Sequence, residues 1–259
     1  MLQTNQIYNA DMFDCMAQID NCAIDMILCD LPYGITARNT WDNMVDPASL
    51  WRQYERIIKP NGAILLFGSG VFTAMMVLSN PTMYRYSLVW KKTTPTGFLN
   101  AKKMPLRVHE DIMVFYKKLP TYNPQKTAGR ARKVSTAEHK RNSTKSLDYG
   151  ECGLSTYDST ERYPTSVLEF VTDKQKDAIH PTQKPLDLCR YLIRTYTNPQ
   201  DVVLDNACGS GTIPLAAKIE GRRCIGIDNG FCEKAGSKYD GLAWASISQE
   251  RINKYGYCK

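Results

Sequence analysis

The stretch DVVLDNACGSGTIPLAA, residues 201–217, decides the fold. Its first half is apolar up to Asp205, as is typical of a strand buried on both faces, and a turn of small residues then leads into a helix that begins near Thr212. Glycines in such a turn let a ligand approach the backbone beside a helix N-terminus. The next apolar run, CIGID, ends in Asp228, a carboxylate suited to accept hydrogen bonds from ribose hydroxyls.

The turn departs from the dinucleotide-binding fingerprint G-x-G-x-x-G. Gly209 and Gly211 are present, but Pro214 stands where the third glycine belongs. That glycine permits close helix packing beside a pyrophosphate. The sequence therefore favours an adenosine-type ligand without a pyrophosphate over a nicotinamide cofactor, and a plain strand-to-helix turn is the alternative.

Short apolar runs alternate with amphipathic segments along most of the chain. The helical candidates are residues 48–58, 186–196, 212–220 and the final WASISQERINKY. The strand candidates are AIDMILCD (23–30), GAILLFG (62–68), RYSLVW (85–90), EDIMVFY (110–116), DVVLDNA (201–207) and RCIGID (223–228). This alternation predicts an α/β domain with a mostly parallel sheet covered by helices.

Residues 118–178 interrupt this rhythm. They are rich in Lys, Arg, Ser, Thr, Tyr and Asn, show little periodicity, and are too many for an ordinary loop, so they predict an inserted recognition element. From Lys117 to Lys145 the chain has nine Lys or Arg residues against one acid, Glu138, whereas the net charge of all 259 residues is +7. The basicity is therefore local, as expected where phosphates are bound, and a solvated loop is the alternative.

Cysteine usage and the N-terminus bear on the compartment. The nine cysteines are odd in number and form no C-x-x-C pair, which predicts neither a disulfide framework nor a zinc site. His109 and His139 do not cluster with cysteines or acids in the pattern of a metal site, so no metal site is predicted. No signal peptide and no membrane-length apolar run is found. We therefore expect a soluble protein of a reducing, intracellular compartment.

A second motif, MILCDLPYGIT (residues 26–36), places an aspartate, a proline and a tyrosine at the exit of a buried strand. Together the two stretches resemble the S-adenosylmethionine-dependent amino-methyltransferases that modify exocyclic amines of DNA bases. Asp30, Leu31, Pro32 and Tyr33 are similar to the catalytic D-P-P-Y of that family. The turn from Asp205 to Thr212 is similar to its methionine-binding turn, Asp228 to its ribose ligand, and HPTQKP (180–185) to a segment that helps to hold the cofactor.

The order of the motifs, catalytic before cofactor-binding, resembles the circularly permuted β-class of the family. The resemblance implies a Rossmann-like class I methyltransferase fold with a mostly parallel seven-stranded sheet, one antiparallel strand and an inserted target-recognition region. It implies a catalytic half over residues 1–117, the recognition region over 118–178 and a cofactor-binding half over 179–259. It also implies that the loops following the two motif strands lie at one edge of the sheet.

The resemblance further implies the ligands of each site. S-adenosyl-L-methionine is the expected cofactor, and its expected ligands are His180, Thr182, Lys184, Pro185, Asp205, Ala207, Cys208, Gly209, Gly211, Thr212 and Asp228. Double-stranded DNA is the expected partner, and its expected ligands in the basic segment are Lys126, Arg130, Arg132, Lys133, Lys140 and Arg141. Members of this class often act as homodimers in the cytoplasm of bacterial or phage-infected cells, so a homodimer and a cytoplasmic location are expected.

Three departures from the family pattern are visible. Leu31 replaces the first proline of the catalytic motif, Asn206 replaces a common proline beside the cofactor turn, and extra residues follow Asp228. Trp41 and Asp42 follow the catalytic motif, and closing over a bound base and packing within the domain are equally open roles for them.

The residue type at position 30 bears on the substrate. Aspartate there resembles the adenine-N6 members, whereas cytosine-N4 members typically carry serine, so site-specific methylation of adenine N6 in DNA is predicted. A cytosine-N4 methyltransferase, a catalytically silent nucleic-acid-binding module and, more distantly, a nicotinamide oxidoreductase are the alternatives.

Overall fold

The chain forms two compact units, of which the larger comprises Met1–Asn123 and Ser166–Lys259 and the smaller Pro124–Thr165. A computed structural model describes residues 2–34, 44–136, 156–172, 183–233 and 237–257. The strands of the larger unit are β1 (Gln6–Tyr8), β2 (Ile24–Cys29), β3 (Ile58–Gly68), β4 (Tyr84–Thr96), β5 (Arg107–Phe115), β8 (Val167–Phe170), β9 (Val202–Asp205) and β10 (Arg223–Ile227). Its helices are α1 (Met12–Ala17), α2 (Pro47–Ile57), α3 (Val71–Ser79), α4 (Leu186–Tyr196), α5 (Thr212–Ile219) and α6 (Trp244–Tyr257).

The eight strands form one sheet in the order β1-β10-β9-β2-β3-β5-β4-β8. All neighbouring pairs are parallel except the two made by β5, which runs antiparallel to β3 and β4. The predicted α/β class, the mostly parallel sheet and its one antiparallel strand are therefore confirmed. The six predicted strands and four predicted helices are all present, with ends shifted by a few residues.

Alternating side chains of β2 explain why its sequence is continuously apolar. Ile27 and Cys29 belong to a core cluster that includes Trp51 and Tyr54 of α2. Met26 and Leu28, on the other face, belong to a second cluster with residues of α4 and α5, among them Leu188, Leu192 and Ile213. Helices thus cover both faces of the sheet, as parallel sheets require.

The sheet has one strand more than the seven expected. The short strand β8 lies in the segment 118–178 that the sequence assigned to recognition, yet it belongs to the larger unit and pairs with β4, with Val89 opposite Val167. Leu168 is buried there, and the Trp90 Nε1 group donates to the Phe170 carbonyl at 3.1 Å. Four residues that pair with a strand far away in the chain leave too weak a periodic signal to be found in the sequence.

The smaller unit is narrower than the predicted recognition region. Within it, β6 (Lys133–Ser135) pairs antiparallel with β7 (Tyr157–Ser159), and an isolated bridge joins Thr127 to Arg162. Its role in recognition stays a prediction.

Three properties of the described ranges bear on other kinds of site. Every cysteine whose placement is described is a free thiol. No group of three or more His, Cys, Asp or Glu side chains suited to a metal ion occurs among the described residues. Within the same ranges, no helix is both long enough and apolar enough to span a bilayer.

Candidate functional site

The two sequence motifs follow neighbouring parallel strands. Met26 of β2 pairs with Val203 of β9 and Ile27 with Leu204, so the strand ends reach the same edge of the sheet. Asp30 follows β2 directly, and Asp205 is the last residue of β9. The two motifs, far apart in the chain, therefore lie side by side at the carboxyl edge, where open α/β sheets bind ligands.

The carboxylate of Asp30 is held by two side chains. The Tyr33 hydroxyl donates to Asp30 Oδ1 at 2.7 Å, and the Lys184 ammonium contacts Oδ2 at 2.6 Å. Burial raises the pKa of Asp30, and the contacts with Lys184 and Tyr33 oppose that rise without cancelling it. The tyrosine ring also stacks on Phe72 of α3, with 4.7 Å between ring centroids. The result is an oriented carboxylate beside a supported aromatic ring.

Lys184 is shared with a second carboxylate that the sequence analysis did not assign. Its ammonium lies 3.2 Å from Glu110 Oε2, and the other oxygen of Glu110 lies 2.5 Å from Lys92 Nζ. Burial raises the pKa of Glu110, but Lys184 and Lys92 together outweigh it and hold that pKa below its usual range. Lys92 lies on β4 two residues beyond Trp90, the register partner of Glu110 on β5, and no sequence spacing signals this diagonal ion pair.

The cofactor turn and Asp228 are in direct contact. The Gly209 N–H donates to Asp228 Oδ2 at 2.7 Å and the Gly230 N–H to Oδ1 at 2.8 Å. Gly209 has φ +48° and Gly211 has φ +77°, a conformation that favours glycine. A Cβ on Gly209 would meet nothing within 4 Å, so a ligand has room to approach the backbone at that point.

Asp205 closes the other side of the turn. Its side chain is almost fully buried, it accepts a hydrogen bond from the Ala207 N–H at 3.3 Å, and burial raises its pKa to about 8. A buried carboxylate with few partners is suited to a cationic ligand group, because the new ion pair offsets the cost of ionising it.

The remaining residues of the turn are packed into the domain. Cys208 and Thr212 are buried, Ala207 is half-buried, and Pro185 is the residue preceding α4. They are the scaffold of the turn in this structure, and their contacts with a cofactor stay predictions.

Two of the three departures from the family pattern have structural explanations. Leu31 is buried in the core cluster that contains Trp51 and Tyr54. Asn206 is buried too, and its Oδ1 accepts a hydrogen bond from the Tyr54 hydroxyl at 2.6 Å. Both positions are used to anchor the loops to the core. The extra residues after Asp228 contribute Cys232 to a small cluster with Trp244 and Ile247.

Replacing Gly211 tests how closely the cofactor turn packs against α6. A Cβ there would lie 1.8 Å from Ser248 Oγ of α6, and its φ is left-handed. We expect Gly211→Ala to lower the free energy of unfolding by about 2–4 kcal/mol, from backbone strain and overpacking together. The matched control is Gly221→Ala, where φ is +74° and a Cβ would meet nothing within 4 Å. This change should lower the free energy of unfolding by about 1 kcal/mol. Urea unfolding measures both, and equal losses would contradict the packing argument.

The basic residues of the smaller unit are only partly free of acidic partners. Arg132 makes a two-pronged ion pair with Asp158, at 2.7 and 2.6 Å, and Lys126 lies 3.2 Å from Glu161. Arg130 and Lys133 are exposed. These residues can meet phosphates, but two of them must exchange or share an acidic partner. Several predicted residues lie outside the described ranges, namely Lys140, Arg141, His180, Thr182, Trp41 and Asp42.

Comparison with known proteins decides the family. A family model of N6/N4 methyltransferases, described as DNA methylase, matches residues 24–235. The chain belongs to this family. The match spans both motifs and the segment between them, so the methyl donor is S-adenosyl-L-methionine and the substrate class is DNA. The buried carboxylate of Asp205, the open backbone at Gly209 and the acid at Asp228 fit such a donor.

Individual relatives agree with this assignment. This chain is 27% identical over 248 residues to Type II methyltransferase M1.MboII of Moraxella bovis, and the alignment covers 88% of this chain and 93% of that one. It is 26% identical over 246 residues to Type II methyltransferase M2.MboI of the same organism, covering 86% and 82%.

Solved structures show the same fold. The M1.HpyAVI–SAM complex has a TM-score of 0.61 at 21% identity, covering 96% of this chain and 98% of that one. The cytosine-N4-specific PvuII DNA methyltransferase has a TM-score of 0.64 at 14% identity, covering 96% and 89%. Because a cytosine-N4 enzyme shares the fold, the fold alone does not select the base.

Proposed function

We propose that this DNA methyltransferase transfers the methyl group to the N6 amine of adenine, directly and on a base flipped out of the duplex. The observation that carries the proposal is the Asp30 carboxylate, fixed by Tyr33 and Lys184 at the sheet edge it shares with Asp205 and the glycine turn. Aspartate at that position resembles the adenine-N6 members of the family.

The chemistry requires hydrogen-bond acceptors beside the amine. The lone pair of an adenine amino group is delocalised into the ring, so the site must draw the nitrogen towards tetrahedral geometry. Asp30 accepts one amino hydrogen and the backbone carbonyl of Leu31 accepts the other. The two acceptors orient the lone pair and stabilise the positive charge that grows on nitrogen, and Asp30 takes up the proton that the methylated amine then releases. Pro32 restrains the turn and biases Leu31 towards an extended backbone.

A stacked base cannot reach such a site. Flipping costs a few kcal/mol, and stacking on an aromatic ring returns about 1–3 kcal/mol. Tyr33 provides the ring, and Phe72 behind it keeps that ring in place. In the absence of DNA, the Tyr33 hydroxyl and Lys184 use both Asp30 oxygens, so an incoming amine must share or displace one of them.

The donor site is assigned to residues around the glycine turn. S-adenosyl-L-methionine supplies a methyl group activated by a sulfonium. Asp205 would pair with the ammonium of its methionine part, Asp228 would accept from the ribose, and Gly209 and Gly211 would let the ligand approach the backbone. The basic residues of the smaller unit contact the phosphates of the DNA.

Nucleoside mass spectrometry tests the choice of base. The chain is expressed in a host strain without adenine-N6 or cytosine-N4 methylation, and the digested DNA is analysed. We expect N6-methyladenine with the wild-type chain and none with Asp30→Asn. N4-methylcytosine in its place would overturn the adenine assignment while leaving DNA methyl transfer intact.

A further inference from the structure

The hairpin formed by β4 and β5 extends beyond the sheet at the edge that carries Asp30. Trp90 pairs with Glu110, whose carboxylate reaches Asp30 through Lys184. The ladder continues past this level to a pair between Thr96 and Arg107. Arg107 lies three residues from Glu110 along β5, so at about 3.4 Å per residue the hairpin extends about 10 Å beyond Glu110 before its loop begins.

The loop at the tip is an ordered turn. Residues 97–106 include a short 3-10 helix, Phe98–Asn100, that begins after Gly97 at φ +87°. The Asn100 N–H donates to the Gly97 carbonyl at 2.9 Å, and the Lys103 N–H donates to the Asn100 carbonyl at 2.8 Å. The side chains of the tip therefore stand on a defined backbone, which lowers the entropy cost of binding through them.

The composition of the tip is unusual for a surface loop. Phe98 is 79% exposed, Leu99 98% and Met104 55%. Lys102 and Lys103 are exposed beside them, and residues 93–109 contain no acidic side chain. Large apolar side chains beside two lysines, in a stretch of chain without acidic residues, complement nucleic acid, which offers apolar base steps between rows of phosphates.

We propose that the hairpin tip, residues 97–106, is a DNA-contacting element, in which Phe98 and Leu99 insert into the duplex beside the flipped base while Lys102 and Lys103 contact phosphates. The proposal rests on the proposed function, because a duplex that delivers a base to Asp30 must approach this edge. Apolar side chains that wedge into a base step unstack it, which lowers the cost of extruding the neighbouring base.

The test uses two substrates and two double variants of the full chain. One short duplex carries the target base, located by sequencing methylated DNA, in its normal pair, and the other places it opposite an abasic site. We expect Phe98→Ala with Leu99→Ala to lower kcat/KM by about 10- to 100-fold on the paired duplex and by less than about threefold on the abasic one. Lys102→Ala with Lys103→Ala should reduce the salt slope of duplex binding by about 2.

The matched control is Lys59→Ala with Leu78→Ala. Lys59 lies near the start of β3, at the edge of the sheet opposite Asp30, and Leu78 is 77% exposed near the end of α3. The control therefore removes one lysine and one large apolar side chain from surfaces outside the hairpin tip and the predicted recognition region. This control variant should leave kcat/KM on both duplexes and the salt slope of duplex binding unchanged.

Three results would overturn the proposal that the hairpin tip contacts DNA in this way. They are unchanged kinetics in the apolar variant, an equal loss on both duplexes, or an unchanged salt slope in the lysine variant. An equal loss accompanied by dissociation of a dimer in sedimentation would assign the tip to contact between copies of the chain. If the wild-type chain methylates no DNA, the proposed function fails, whereas the salt slope of DNA binding still decides the role of the lysines.

Discussion

Methyl transfer is expected to fall by about 1000-fold when Asp30 is replaced by asparagine, the size of effect found when one preorganised hydrogen-bonding group is removed from a site of developing charge. An amide keeps the shape of the side chain but loses the negative charge that stabilises the cationic nitrogen. Glu110 remains as a partner for Lys184, so the buried ammonium keeps a counter-ion. The variant should therefore fold and bind S-adenosyl-L-methionine within about tenfold of the wild type.

Single-turnover methylation and calorimetric titration of the cofactor measure the two effects separately. The matched control is Asp25→Asn, at the other end of β2. Asp25 also pairs with a lysine, Lys59 at 2.6 Å, and it accepts from the Val202 N–H at 2.9 Å, but it lies at the edge remote from the site. Its replacement should affect stability alone. Wild-type turnover in Asp30→Asn would remove the carboxylate from the mechanism.

Much of the fold follows from the sequence because helices cover both faces of the sheet. Its central strands are therefore continuous apolar runs, and a run such as ILLFG, all buried, needs no knowledge of its partners to be recognised. The strand β8 was not found, since its four residues depend on β4 for their burial. For the same reason, the sequence could not indicate that residues 166–172 belong to the larger unit, which they join through β8.

The candidate site divides along similar lines. Asp30, Asp205 and Asp228 could be proposed from the sequence because each ends an apolar run, which is a local signal. Glu110, Lys92 and Phe72 were missed because each acts through a residue that lies far away in the sequence. Lys184 was found for its place in HPTQKP, and its predicted contact with the cofactor stays a prediction, whereas its contacts with Asp30 and Glu110 emerge only from the folded chain.

Lys184 should determine the pH at which the enzyme begins to work. Its ammonium is buried between Asp30 and Glu110, and burial already raises the pKa of Asp30. In Lys184→Met, Glu110 keeps Lys92 as a cationic partner, whereas Asp30 loses the ammonium beside it. The pKa of Asp30 therefore rises further. Since the amine requires an ionised Asp30, we expect kcat to fall about tenfold at neutral pH and to recover as the pH rises.

The same change links stability to pH in a definite direction. A folded pKa above the unfolded value of about 3.9 means that the native state holds the extra proton. Stability of Lys184→Met therefore falls, relative to the wild type, as the pH rises from about 4 to the elevated pKa, by up to about 1.4 kcal/mol per pH unit. Urea unfolding at several pH values measures this slope, and the kcat–pH profile measures the shift of its acidic limb.

A purely structural lysine would behave differently. Lys59→Met is the matched control, because Lys59 pairs with Asp25 at the remote edge and is 37% exposed. Its removal should lower the free energy of unfolding by at most about 1 kcal/mol and leave the kcat–pH profile unchanged. If Lys184→Met lowered kcat by the same factor at every pH, the lysine would serve only to hold the loop before α4 in place. A shifted acidic limb seen in Lys184→Met alone would assign the ionisation of Asp30 to this one ammonium.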